Sequence, residues 1–212
     1  MFEYNKPMIS LLFSSPLVFV VIFGGLLLSI TIHEFAHCWI TDKLGDPTPR
    51  AQGRLTLDPR VHLDPLGVLA MLFTRFGWGK PAPFDPYNLK NPVKDTAIIA
   101  IAGPLSNIAV AAILSFVLKM EVIPFYWLQY SILQILIINI ALAAFNLIPV
   151  YPLDGSKIIT AFLPKDTAAE YESVMTQYGN FILLFLILPW NGVSPASQLL
   201  TPIMNIVLKW LI

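Results

Sequence analysis

The sequence predicts an all-α polytopic membrane protein, and three observations carry that prediction. Of 212 residues, 56% are hydrophobic and 12% charged, with a mean hydropathy of +0.70, about half the charge of an ordinary globular domain. Charge-free runs occupy positions 7–33, 96–118 and 122–153. At ~1.5 Å per residue each is longer than the ~30 Å hydrocarbon core. Most of the ionisable residues collect between the first two runs. Thirteen basic and thirteen acidic residues cancel, so no net field draws a nucleic acid to the chain. A single cysteine, Cys38, excludes an intrachain disulfide. One membrane-embedded domain over residues 1–212 is expected, with no signature of a particular oligomeric state.

The first run is a span rather than a signal peptide, because Glu3 stands beside Lys6 before it and polar helix-like sequence follows directly. Residues 44–94 form a polar loop rich in Pro and Gly. Its one apolar patch, Leu66 to Phe73, is too short to cross and predicts a re-entrant or interfacial segment. Arg54-Leu55-Thr56-Leu57 alternates as a strand does, and Trp78 to Phe84 can supply a partner, which predicts a small β-sheet here. The second and third runs are spans, the third ending in a Pro-rich turn. The last apolar tract, 173–208, is broken at Pro189-Trp190-Asn191-Gly192 and Pro195. It reads as two short spans, roughly 174–190 and 196–212, which makes about five transmembrane helices.

Basic residues set the orientation. Lys43, Arg50, Arg54, Arg60, Arg75, Lys80, Lys90 and Lys94 fall in the first loop, and Lys157, Lys165 and Lys209 share its side if the spans alternate. Only Lys6 and Lys119 fall opposite. The positive-inside rule then places the N-terminus outside and the long loop in the cytoplasm.

The first span ends in His33-Glu34-Phe35-Ala36-His37. Residues four apart on a helix lie on one face about 6 Å apart, so both imidazoles can reach one metal ion. Glu34 projects from an adjoining face, where it can take a proton from water activated by zinc. An ionisable Glu between two His inside a span is costly unless it has a function. A catalytic zinc usually has three protein ligands, and His62, Asp64 and Asp154 are candidates for the third. Asp154 stands out, because it closes Asn146-Leu147-Ile148-Pro149-Val150-Tyr151-Pro152-Leu153-Asp154-Gly155, where two prolines break the helix. Such a break is tolerated at membrane depth only beside a cavity or protein. Asn107 is a buried amide in an apolar span and needs partners, which makes it a candidate for the catalytic cavity. Gly103 and Ser106 read as small residues for close helix packing, as do Gly24, Gly25 and Ser29. His62 and Asp64 read as a hydrogen-bonded loop pair.

HEFAH on the first span together with NLIPVYPLDG resembles the site-2 protease family of intramembrane zinc metalloproteases. Supporting matches are Ala102-Gly103-Pro104-Leu105-Ser106-Asn107, His62-Leu63-Asp64-Pro65-Leu66-Gly67 and Gly77-Trp78-Gly79-Lys80-Pro81. They resemble the small prokaryotic branch without PDZ or CBS domains. The resemblance implies one zinc per chain, with His33, His37 and Asp154 as ligands and Glu34 as general base. It also implies that Asn146 steadies the substrate carbonyl or the oxyanion, a role Asn107 could share. The implied function is hydrolysis of peptide bonds in transmembrane protein substrates near the cytoplasmic face of a prokaryotic plasma membrane. An extended substrate would pair with the edge of the small sheet by β-augmentation. An inactive scaffold or regulator of the same fold is the alternative, and the intact Glu34 argues against it.

Overall fold

A computed structural model of the chain describes residues 8–74, 77–190 and 192–212; Glu3, Lys6, Arg75 and Asn191 lie outside the described residues. The order is α1 (Ile9–Ser14), α2 (Pro16–Lys43), the short α3 (Thr48–Ala51) and α4 (Pro59–His62), and α5 (Pro65–Thr74). After a 3-10 turn at Pro86–Asn88 come α6 (Pro92–Lys119), α7 (Tyr126–Asn146), α8 (Asp154–Thr160), α9 (Lys165–Ile187) and α10 (Pro195–Leu211). Prolines open α2, α6 and α10, where the missing N–H would have had no partner in any case. Just past the end of α2 the chain turns at Gly45 with φ +108°, a left-handed conformation that costs glycine little.

The long helices α2, α6 and α7 pack on one another, and α8 packs on α6. Gly25 on α2 faces Ile135 of α7 so closely that an added methyl would overlap it, so that glycine does bring a neighbouring helix close, whereas Gly24 faces open space. Ile22, Leu26 and Ile30 of α2 bury with Leu11 and Met71. This draws α1 and α5 against the same helix. α10 packs on α7 and α9, with Ala111, Leu136 and Ile140 buried against Val207, Leu208 and Leu211.

Two expectations need correction. Among the described residues there is no strand, so the small β-sheet in the first loop is absent, and its edge for β-augmentation goes with it. One isolated antiparallel bridge joins Leu63 to Gly79, and Lys80 N donates to His62 O at 2.7 Å. Pro81 and Pro83 lack the N–H that a ladder needs. The carbonyls of Lys80 and Pro81 instead accept from the Arg54 guanidinium, at 2.7 and 3.2 Å. A side chain takes the place of the partner strand.

The second correction concerns the span count. Among the described residues three helices, α2, α6 and α7, are long and apolar enough to cross a membrane, rather than about five. The tract expected as spans at 174–190 and 196–212 forms α9, which begins earlier with Lys165, Asp166, Glu170 and Glu172 in its first turns, and α10, only 17 residues long. The apolar patch Leu66–Phe73 lies in α5, a helix of 10 residues. At ~15 Å it is half the hydrocarbon thickness. Its Met71 is buried while Leu66, Leu69 and Phe73 stay exposed.

Candidate metal centre

His33 and His37 lie one turn apart on the buried face of α2, their rings edge to face with centroids 4.6 Å apart. Asp154 is the first residue of α8. It reaches them because the chain reverses after α7 through Leu147–Leu153, whose Ile148, Val150 and Leu153 are buried against Leu200. Gly155 keeps this return tight: a methyl there would strike the carbonyls of Leu147 and Ile148. The Nε2 atoms of His33 and His37 stand 3.0 Å apart and lie 3.2 and 3.3 Å from Asp154 Oδ2. All three residues are at least nine-tenths buried.

The outer ring nitrogens are taken. His33 Nδ1 lies 2.6 Å from Asn107 Oδ1, and His37 Nδ1 lies 2.7 Å from the Ile99 carbonyl. A carbonyl oxygen only accepts, so both rings carry the proton on Nδ1 and turn an Nε2 lone pair inward. Pro104, within α6, removes one helix hydrogen bond near the Ile99 carbonyl.

This donor set fits a zinc ion. Asp154 Oδ2 is buried without a hydrogen-bond donor, and two imidazole lone pairs face it. Three acceptors converging in a buried space repel one another unless a cation lies between them. Donors around a tetrahedral zinc with bonds of ~2.0–2.1 Å stand about 3.3–3.4 Å apart, close to the separations here. Gly103 of α6 supplies the room: a methyl on it would fall 2.6 Å from His33 Nε2 and closer still to His37 Nε2.

Glu34 is half-buried on the adjoining face. Its Oε2 accepts from Ala82 N at 3.0 Å, and Gly79 lies against Oε1. Segment 78–84 therefore passes beside Glu34, and its Lys80 and Pro81 carbonyls are held by Arg54. That arginine is 3% exposed.

Of the remaining candidates, only Asn107 touches the cluster. Asn107 has Oδ1 on His33 while its Nδ2 donates to Asn139 Oδ1 and Ser29 O at 3.0 and 3.3 Å. The whole amide is engaged by His33, Asn139 and Ser29. Asn146 ends α7 half-buried, its Nδ2 donating to Leu142 O at 3.0 Å. His62 does not pair with Asp64. Fully buried, it donates Nε2–H to Thr56 O at 2.7 Å and turns Nδ1 toward Arg54 Nη2 at 3.4 Å. Burial pushes its pKa below the ordinary imidazole value and outweighs the bond to the Thr56 carbonyl, which raises it; the Arg54 charge adds a smaller downward push. The Asp64 carboxylate accepts from the backbone N–H of Leu66 and Gly67, both at 2.9 Å.

Sequence reasoning passed over Gly103 as a packing residue and did not single out Asn139, Arg54 or Ala82. Two signals were available. Gly103 lies four residues before Asn107, on the same helix face, and Asn139 is an amide in an apolar run just as Asn107 is.

Known proteins of similar sequence and fold identify the family. The sequence profile of peptidase family M50 matches residues 123–186. YwhC of Bacillus subtilis, named as a zinc metalloprotease, is 36% identical over 199 residues, covering 85% of this chain and 84% of its own length. Rip2 of Mycobacterium tuberculosis, named likewise, is 29% identical over 178 residues, covering 80% of this chain and 66% of its own. The solved site-2 protease from Methanocaldococcus jannaschii shares the fold, with a TM-score of 0.54 and 22% identity over 96% of this chain and 80% of its own. An extended match at this identity, on a chain that brings two histidines and an aspartate together beside a glutamate, means that the chain belongs to peptidase family M50, the site-2 protease family of metalloproteases.

Proposed function

We propose that this protein is an intramembrane zinc endopeptidase, binding one zinc per chain through His33, His37 and Asp154 and cutting membrane-embedded proteins near the cytoplasmic face. The observation that carries the reading is the convergence of three buried acceptors inside a membrane helix bundle, with a carboxylate alongside. Zinc bound there supplies Lewis acidity, polarising the scissile carbonyl and acidifying water.

The chain's own residues do the rest. Glu34 takes the proton from the attacking water and returns it to the leaving amine, and the Ala82 N–H fixes one oxygen of that carboxylate while it does so. Asn107 and the Ile99 carbonyl hold the two imidazoles with their lone pairs inward. Asn146, at the end of α7, is proposed as the donor that steadies the carbonyl oxygen as charge develops on it. The site lies about 10 Å, some six residues of helix, from the C-terminal end of α2. A substrate helix hides its carbonyls in i→i−4 bonds, so it unwinds locally before attack.

The test is a comparison of wild type with Glu34→Gln, both reconstituted in vesicles with single-span substrate proteins. Cleavage by the variant should fall by about 10²–10⁴-fold with zinc per mole of protein unchanged. Equal cleavage by the two would remove Glu34 as the base.

A further inference from the structure

α7 carries an amide, Asn139, that no exposed surface explains. It is fully buried at the middle of an apolar helix, opposite Asn107 of α6 and Ser29 of α2. An unpaired amide there would be strongly destabilising, and Asn139 is not unpaired. Its Nδ2 donates to Ser29 Oγ and to Ile135 O, each at 2.8 Å, and its Oδ1 accepts from Asn107 Nδ2 at 3.0 Å.

The bonds run in one direction. Ser29 Oγ–H is spent on the Gly25 carbonyl at 2.7 Å, so toward Asn139 the hydroxyl can only accept. Asn139 must therefore present its NH₂ to Ser29 and Ile135 and its oxygen to Asn107. Asn107 must then present its NH₂ to Asn139 and its oxygen to His33. His33 must answer with Nδ1–H, which leaves Nε2 as the lone pair. The chain of constraints is anchored at two backbone carbonyls, Gly25 and Ile135, which cannot be turned around. A flipped Asn107 would set its oxygen against the oxygens of Asn139 and Ser29.

We propose that Asn139 is a positioning residue for the metal site: by holding the Asn107 amide in one of its two orientations, it keeps His33 in the tautomer whose Nε2 can bind zinc. The proposal rests on the reading that His33 is a zinc ligand. Asn139 touches neither metal nor substrate and acts through Asn107. Without it, Asn107 Nδ2 keeps only the 3.3 Å contact to Ser29 O, too weak to fix the amide. The amide can then flip and offer N–H to His33 Nδ1, which favours the opposite tautomer.

Two measurements on the full-length purified protein test this. The first is the histidine ring ¹⁵N spectrum of metal-stripped wild type, tractable because there are three histidines. His33 and His37 should carry the proton on Nδ1. His62, whose Nε2 faces the Thr56 carbonyl, should carry it on Nε2 and serves as the internal contrast. A wild-type His33 protonated on Nε2 and not on Nδ1 would overturn the proposal with no variant needed.

The second is zinc affinity, by competition with a chelator, for wild type, Asn139→Leu and Asn139→Asp. Loss of an orienting partner typically costs 10–100-fold in metal affinity, so Asn139→Leu should bind zinc about tenfold more weakly or worse. In its spectrum only the His33 signals should move. A neutral Asp is nearly isosteric with Asn and can both accept from Asn107 and donate to Ser29, so Asn139→Asp should restore affinity and tautomer together. Unchanged affinity in a monodisperse Asn139→Leu would overturn the proposal and leave the protease reading intact. Failure of wild type itself to bind zinc would instead remove the protease reading, while the wild-type spectrum would still report on the amide chain.

Discussion

Gly103 and Asp154 make opposite contributions to one small volume: the glycine vacates it and the aspartate puts charge at its edge. Zinc per mole of detergent-purified protein should separate their roles. Asp154→Ala removes one of the three proposed ligands and should lose stoichiometric zinc. Gly103→Ala should also lose it, although alanine favours a helix over glycine by about 1 kcal/mol, so the loss would be steric. His62→Ala, away from the cluster, should keep its zinc. Retention by Asp154→Ala with loss by His62→Ala would transfer the third ligand to the loop. At this scale the legible residues were those whose chemistry needs a fixed spacing along one helix, His33, Glu34 and His37, together with an aspartate marked by two prolines. Gly103 was not legible in the same way, because what a glycine makes room for depends on which side chain faces it across the bundle.

The segment between α2 and α6 is held by polar bonds more than by apolar burial. Asp46 is fully buried there. Its Oδ1 accepts from the backbone N–H of Thr48 at 3.0 Å, from the Thr48 hydroxyl at 2.5 Å and from Asn88 Nδ2 at 2.9 Å, while Oδ2 accepts from Asp85 N at 2.6 Å. Burial pushes its carboxyl pKa up, but the bonds from Thr48, Asp85 and Asn88 outweigh it and hold the carboxyl below its ordinary range. A carboxyl depressed on folding stabilises the fold above its unfolded pKa of about 3.9, and that stability drains away as pH falls through the folded value. Thermal unfolding in detergent should therefore show wild type losing stability below about pH 4, and Asp46→Asn losing less over that range. Near neutral pH the variant should be less stable by about 1–3 kcal/mol, because one of its amide groups must meet donors with an NH₂. An equal acid response in the two proteins would refute this. The long runs gave their helices away because apolarity over twenty or more residues has one reading in lipid. The loop did not, because an alternating Arg-Leu-Thr-Leu resembles a strand until one knows that Arg54 spends its guanidinium on two carbonyls of a proline-broken neighbour.

Across the whole molecule, exposed apolar side chains such as Leu17, Val20, Leu28, Leu105, Ile113 and Phe116 cover α2 and α6, the surface expected of helices facing lipid. The uneven spread of Lys and Arg predicts that the segment between α2 and α6 is cytoplasmic. Replacing Cys38 and introducing single cysteines at Asn91, just before α6, and at Glu121, between α6 and α7, gives a direct check with an impermeant thiol reagent on whole cells. Position 121 should react and position 91 should react only after lysis; the reverse pattern would move cleavage to the other face. The separation of the ligands along the chain also bears on biosynthesis. Chains are made from the N-terminus, so α2 brings His33, Glu34 and His37 into the bilayer long before Asp154 leaves the ribosome. Until α7 has inserted and the chain has doubled back to α8, the histidines lack the carboxylate that faces them and a catalytic zinc lacks its third protein ligand. On the proposed reading, a half-translated chain carries the base and no working protease, and cannot cut neighbours, or itself, while still being threaded into the membrane.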